Sequence, residues 1–213
     1  MKNGYEICLE ISGPTAMWTR PDTGDTPISY PAPTYSAVKG IFESVLWLQS
    51  AEVVPVKVEI CRPVVYHNYT TNYGGPLRKA KNVAKGAGYQ LIASVLVNVC
   101  YRLHAVAVND ERNSEWYNKH AAKGARNGAH AYQEQFERRL QQGQLYYTPC
   151  LGWKEFVPDY LGPFRDTTII QQDLALTLPS FLIDCFPHGK RAAYAPRFAN
   201  DVRVEKGVVV YAQ

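Results

Sequence analysis

The sequence predicts an α+β fold of ferredoxin-like type, a βαββαβ core followed by a small antiparallel β extension. Three observations carry this. Stretches of period-two alternation flank a short, strongly amphipathic helix pattern. A second helix pattern, closed by a glycine, follows a long valine-rich run. Beyond Gly152 the chain breaks into short segments punctuated by Pro and Gly and ends in a hairpin pattern. The expected division is residues 1–151 for the core and 152–213 for the extension.

Taken in order, Tyr5, Ile7, Leu9 and Ile11 alternate with Glu6, Cys8 and Glu10, the pattern of a half-buried strand that Gly13-Pro14 ends. Pro27, Pro31 and Pro33 keep the approach to the first helix extended, and Thr34 is placed to cap it. Val38, Ile41, Phe42, Val45 and Leu46 then fall on one helix face, with Lys39 and Glu43 opposite. Val54 to Val65 alternates again, with Pro55 and Pro63 marking breaks or an edge. Tyr66 to Gly88 is different in kind: a basic loop carrying Arg78, Lys79, Lys81 and Lys85, no acidic residue, and interleaved tyrosines. Leu91 to Val108 reads as a central strand, and Asp110 to Asn127 as a polar loop. A second helix is expected from Ala129 to Gln142, with Tyr132, Phe136 and Leu140 inward and Gly143 just past its end. A strand near Leu145 to Pro149 would complete the core. Val202–Val204 and Val208–Tyr211 around Glu205-Lys206-Gly207 predict the hairpin.

The chain is 46% hydrophobic and 20% charged, a globular balance, with a net charge of +4. No apolar run is long enough to span a bilayer and the first residues lack a signal-peptide core, so no membrane is expected and a cytoplasmic location is. The five cysteines are scattered and never in a C-x-x-C pair, which favours reduced thiols over a disulfide framework or structural zinc. The five histidines have no metal-ligand spacing, no P-loop is present, and no G-x-S-x-G elbow exists. No cofactor and no metal are expected. The Tyr66 to Gly88 segment is the strongest functional signal in residue types: lysines and arginines for phosphates, tyrosine faces for unstacked bases. Single-stranded RNA fits such a scaffold; a solvated basic loop is the plain alternative.

Four stretches together carry a resemblance: Thr19 to Asp22 (TRPD), Ser29 to Trp47 (SYPAPTYSAVKGIFESVLW), Phe136 to Phe156 (FERRLQQGQLYYTPCLGWKEF) and the final hairpin. They resemble, in order and spacing, the CRISPR-associated Cas-five proteins of the Dvulg, or type I-C, branch. The resemblance implies an RRM-like domain of the RAMP superfamily with a β tail. It implies a subunit of a Cascade-type complex that grips the 5′ repeat-derived handle of CRISPR RNA beside backbone and large subunits. Arg20, Tyr35, Lys39 and Arg138 lie in the matched stretches and join Tyr66, Tyr69 and the basic loop as RNA-binding candidates.

In that branch the same protein usually cuts precursor RNA without a metal. The ribose 2′-OH attacks the adjacent phosphate, a Tyr or His moves protons, and a Lys steadies the developing charge. Here the family's helix-one tyrosine falls on Leu46, and its Lys-His pair on Ala131 and Tyr132. The candidates for the substituted roles are Tyr132, His130 and Lys123, with Lys119-His120 further upstream. Handle binding without cleavage and metal-independent cleavage both stay open at this point.

Overall fold

The computed structural model describes residues 4–72, 90–110, 127–186 and 194–211. The elements are β1 (Tyr5–Ala16), α1 (Tyr35–Val45), β2 (Ala51–Ile60), β3 (Tyr66–Asn72), β4 (Gln90–Asn109), α2 (Gly128–Gln141), β5 (Tyr160–Gly162), β6 (Leu176–Asp184), β7 (Arg197–Glu205) and β8 (Val208–Val210). The strands form an antiparallel sheet in the order β5-β1-β4-β2-β8-β7-β6, and β3 also pairs with β4. The fold is therefore α+β, a mostly antiparallel sheet carrying two helices among the described residues.

Why the helices start and stop where they do is local. Thr34 is extended (ψ 162°) and its hydroxyl accepts from the Ala37 amide at 3.3 Å, the N-cap arrangement. At the end of α2, Gly143 takes φ +65°, its amide reaches the Leu140 carbonyl at 3.3 Å, and the Gln144 amide reaches Arg139 at 2.9 Å. That pair of bonds is the Schellman closure a glycine permits. The apolar stripes of the two helices meet over the sheet. Val38, Ile41, Phe42 and Val45 of α1 and Ala129, Tyr132 and Phe136 of α2 are all buried, with Phe42 and Phe136 rings 5.5 Å apart. Beneath them lie Leu9, Ile11, Val58, Tyr101 and Leu103. Burial of each such large side chain is worth about 1.5–3 kcal/mol.

The last turn of α1 has no basic residue of its own, so its orphan carbonyls are met from elsewhere. Arg139 Nε donates to the Val45 carbonyl at 2.9 Å and Tyr132 Oη to Leu46 at 2.7 Å. The Tyr146 and Tyr147 amides donate to the Ser44 carbonyl at 2.7 and 3.2 Å, and Tyr147 Oη donates to Gly40 at 2.7 Å. These bonds explain one correction. No strand forms at Leu145 to Pro149: its amides cap α1, and Tyr160–Gly162 is the short strand that pairs beside β1 instead.

Three further differences have physical causes. Pro55 does not end β2; a register shift between Pro55 and Lys57 absorbs its missing donor, and β2 lies between β4 and β8. The start of the expected basic loop is strand, because β4 spans 20 residues and its first seven, Gln90 to Leu96, pair with β3, all but Leu96 lying past the end of β1. The face of β1 read as solvent-facing is open at Glu6 and Cys8 but covered further along: Glu10 is 0% and Ser12 2% exposed under the segment after β5. There Arg165 Nε meets Glu10 Oε1 at 2.6 Å, Thr168 Oγ1 donates to the same oxygen at 2.7 Å, and Arg102 Nε lies 3.4 Å from Oε2. Burial pushes the Glu10 carboxyl up, but the bonds from Thr168 and Arg165 outweigh it and hold it below its ordinary value. The expected hairpin is present, β7 to β8, with Lys206 and Gly207 at φ +50° and +74°.

Candidate nucleic-acid interface

The loop between β1 and α1 lies against the base of the β3–β4 pair. The Ser29 amide donates to the Ser94 carbonyl at 3.0 Å, and the Ser94 amide returns a bond to Pro27 at 2.9 Å. This docks Arg20 beside β3. Its guanidinium lies 5.6 Å over the Tyr30 ring and grips both oxygens of Asp22, at 3.1 and 2.7 Å, which holds that carboxyl below its usual range. Tyr66, 46% exposed, donates from its hydroxyl to the Ser29 carbonyl at 3.1 Å. Arg20 and Tyr66 are thus brought to one loop: a guanidinium that a phosphate would share with Asp22, and an exposed aromatic face on which a base could lie.

Tyr69, of opposite parity on β3, packs edge-on against Phe156 and Trp153 at 5.5 and 6.3 Å. Trp153 and Phe156 stack at 5.7 Å, and Trp153 Nε1 donates to Thr19 Oγ1 at 3.1 Å. The two tyrosines therefore flank the same strand, one held by the Arg20 loop and one by the Trp153 turn. Gly152 makes that turn possible: at φ +93° its Cα lies so close to Met17 that an added Cβ would stand 1.8 Å from the Met17 carbonyl oxygen. Residue types alone did not single out Trp153, Phe156 or Tyr30 as site residues. The G-W-K-E-F run was the available signal for two of them.

The remaining candidates lie elsewhere. Lys39 pairs with Glu52 at 2.8 Å, and Glu52 sits opposite Val108 near the far end of β4. Tyr66 sits opposite Leu96, twelve residues back along the same strand, so the two groups are roughly 40 Å apart at the rise of an extended chain. Tyr35 packs edge-on against Tyr211 at 5.7 Å, and Arg138 is exposed on α2. His130 is at the start of α2, with its ring 5.0 Å from Tyr5 and Nε2 3.8 Å from Glu134. Tyr132 is 1% exposed, and burial pushes its hydroxyl well above the ordinary tyrosine value. With that hydroxyl bonded to the Leu46 carbonyl, it ties α2 to the end of α1. Arg78, Lys79, Lys81, Lys85 and Lys123, with Lys119-His120, lie outside the described residues. Among the described residues no cluster of His, Cys, Asp and Glu is arranged to hold a metal, and no helix is long and apolar enough to cross a membrane.

Known proteins resemble this chain in sequence and in fold. The "CRISPR pre-crRNA endoribonuclease Cas5d" of Thermus thermophilus is 30% identical over 177 residues, 83% of this chain and 71% of that protein. A crystal structure of a CRISPR-associated protein superposes with a TM-score of 0.70 at 16% identity, covering 99% of this chain and 93% of that one. A chain of a CRISPR RNA-guided surveillance complex does so at 0.53 and 16%, covering 97% and 89%. The model of the CRISPR-associated protein family Cas5, in its Cas5d form, matches residues 6–168. The chain belongs to the CRISPR-associated Cas5 family.

Proposed function

We propose that this chain is the Cas5 subunit of a type I Cascade complex, binding the 5′ repeat-derived handle of CRISPR RNA alongside backbone and large subunits. The observation that carries the reading is the placement of Arg20, over Tyr30 and paired with Asp22, on the same loop whose Ser29 carbonyl takes the hydroxyl of exposed Tyr66, within a chain of this family. Phosphate meets the guanidinium, bases lie on Tyr66, and Arg78, Lys79, Lys81 and Lys85 extend the contact from the segment joining β3 to β4. The order β1-β4-β2, all antiparallel, with the two helices supports a ferredoxin-like core over 1–151, to which β5 of the following segment adds an edge strand beside β1. The β6–β7–β8 strands, joined to that core through β2, support a separate extension over 152–213.

A second reading, metal-independent cleavage of precursor RNA, draws on the activity named for the Thermus thermophilus relative. Tyr132, His130 and Lys123 are its candidates. The engagement of Tyr132 with Leu46 favours binding over cleavage. Incubating the protein with its own repeat RNA in chelator separates the two. A gel shift with intact RNA is the expected result; a site-specific product lost in His130→Ala establishes cleavage. Absence of any shift overturns the binding proposal.

A further inference from the structure

We propose that Cys61 and Cys100 form a dithiol site that a hydroperoxide oxidises to an intramolecular disulfide. The pairing of β2 with β4 ends at Ile60 opposite Tyr101, so the next residues, Cys61 and Cys100, face each other across the two chains. The Cys61 amide donates to the Cys100 carbonyl at 2.9 Å. Directly opposed antiparallel residues have Cα atoms about 4.5–5.5 Å apart, inside the roughly 4.4–6.8 Å that a disulfide spans. The bond can therefore close without moving either strand.

Access and activation are both present. The two cysteines, 6% and 2% exposed, line a cleft of about 280 Å³ together with Arg62, Arg165, Thr168 and Gln171. The cleft admits a peroxide while the bulk of each residue stays covered. Arg165 Nη2 donates to Cys100 Sγ at 3.7 Å, and Glu10 Oε1 lies 3.7 Å from the same sulfur. The bond from the Cys61 thiol, with help from Arg165 and against burial and Glu10, holds Cys100 below the ordinary thiol value; the same bond and burial push Cys61 up. Arg165 is the cation beside the Cys100 sulfur, while the Cys61 thiol donates to the Glu59 carbonyl at 3.5 Å. Exposed Cys8 is the opposite case, raised by burial of its sulfur and by Glu137, Glu6 and Glu59.

The chemistry closes in two steps. Cys100 thiolate attacks one peroxide oxygen; the O–O bond breaks, the leaving alkoxide takes a proton, and Cys100 becomes a sulfenic acid. Cys61 then gives up its proton and attacks the Cys100 sulfur. The S–S bond forms, the S–O bond breaks, and hydroxide leaves as water. Two thiols lose two electrons, and the peroxide is reduced to an alcohol and water.

The test is substoichiometric hydrogen peroxide on the purified full chain, alkylation, and peptide mapping without reductant. The expected result is a Cys61–Cys100 linked peptide that dithiothreitol reverses, formed before any oxidation at Cys8 is detected. Cys61→Ser is expected to stop at a dimedone-reactive sulfenic acid on Cys100, and Cys8→Ser to change nothing. First oxidation at Cys8, or links from Cys61 or Cys100 to any other cysteine, overturns the proposal. So does recovery of both thiols intact on later unfolding. The wild-type map decides the question even where a variant does not fold.

Discussion

Replacing Tyr132 with Phe removes one oxygen and leaves the ring where it stacks, 6.0 Å from Phe136 at an interplanar angle of 14°. The bond removed is the 2.7 Å donation to the Leu46 carbonyl, at a site 1% exposed where water does not replace it. A neutral hydrogen bond contributes about 0.5–1.5 kcal/mol net, and an orphaned buried carbonyl adds to the loss, so a cost of about 1–2 kcal/mol is expected. For a chain of this size that is a Tm lower by roughly 3–6 °C. The same variant carries a pH signature. Burial raises the folded Tyr132 above the roughly 10 of an unfolded tyrosine, so its neutral form stabilises the fold fully below about pH 10 and the contribution is lost as pH rises beyond it. Tyr132→Phe is therefore expected to lose less stability than wild type between about pH 10 and 11. Urea titrations at about pH 8 and above about pH 10, beside RNA binding and cleavage assays, provide the check. An unchanged Tm together with a lost RNA product would refute the packing assignment and make this hydroxyl catalytic.

Arg165→Ala uncovers Glu10, buried at 0% exposure, and is expected to cost about 3 kcal/mol by denaturant melt. In wild type the depressed Glu10 carboxyl gives stability that is present above about pH 4.3 and lost as pH falls through its folded value; acid titration of Glu10→Gln should show a shallower loss. Gly40→Ala is expected to stabilise α1 by about 0.5–1 kcal/mol, since an added Cβ meets nothing within 4 Å. Gly152→Ala, with its Cβ driven into the Met17 carbonyl, should cost at least about 2 kcal/mol and loosen the Trp153 turn. Arg20→Gln, and charge removal at Lys79 and Lys81, should weaken repeat-RNA binding and reduce the salt slope by about 1 for each phosphate no longer neutralised.

Both helices were legible because their signals are local: apolar residues every three or four positions, Thr34 ahead of one helix and Gly143 behind the other. What the residues could not disclose depends on distant partners. Tyr146 and Tyr147 look like strand material until α1 offers its carbonyls. Glu10 looks like a solvent-facing position until Arg165, 155 residues later, closes over it. Tyr66 to Asn72 is polar on both faces, so nothing in its periodicity announced a strand; the excess length of β4 creates it. The tyrosine at 66 was legible as a base platform from residue type alone, whereas its neighbour Arg20 is placed there only by the folding-back of the proline-rich loop.

One strand, β4, is hydrogen-bonded along its 20 residues to β1, β2 and β3 in turn. Its first residues hold β3, and with it Tyr66; past an irregularity at Asn98 (φ +54°) its last residue, Asn109, reaches α2. There the Asn109 side chain accepts from the Ala129 amide and so seats the first turn of α2. A single strand thus ties the edge that presents Tyr66 to the start of α2.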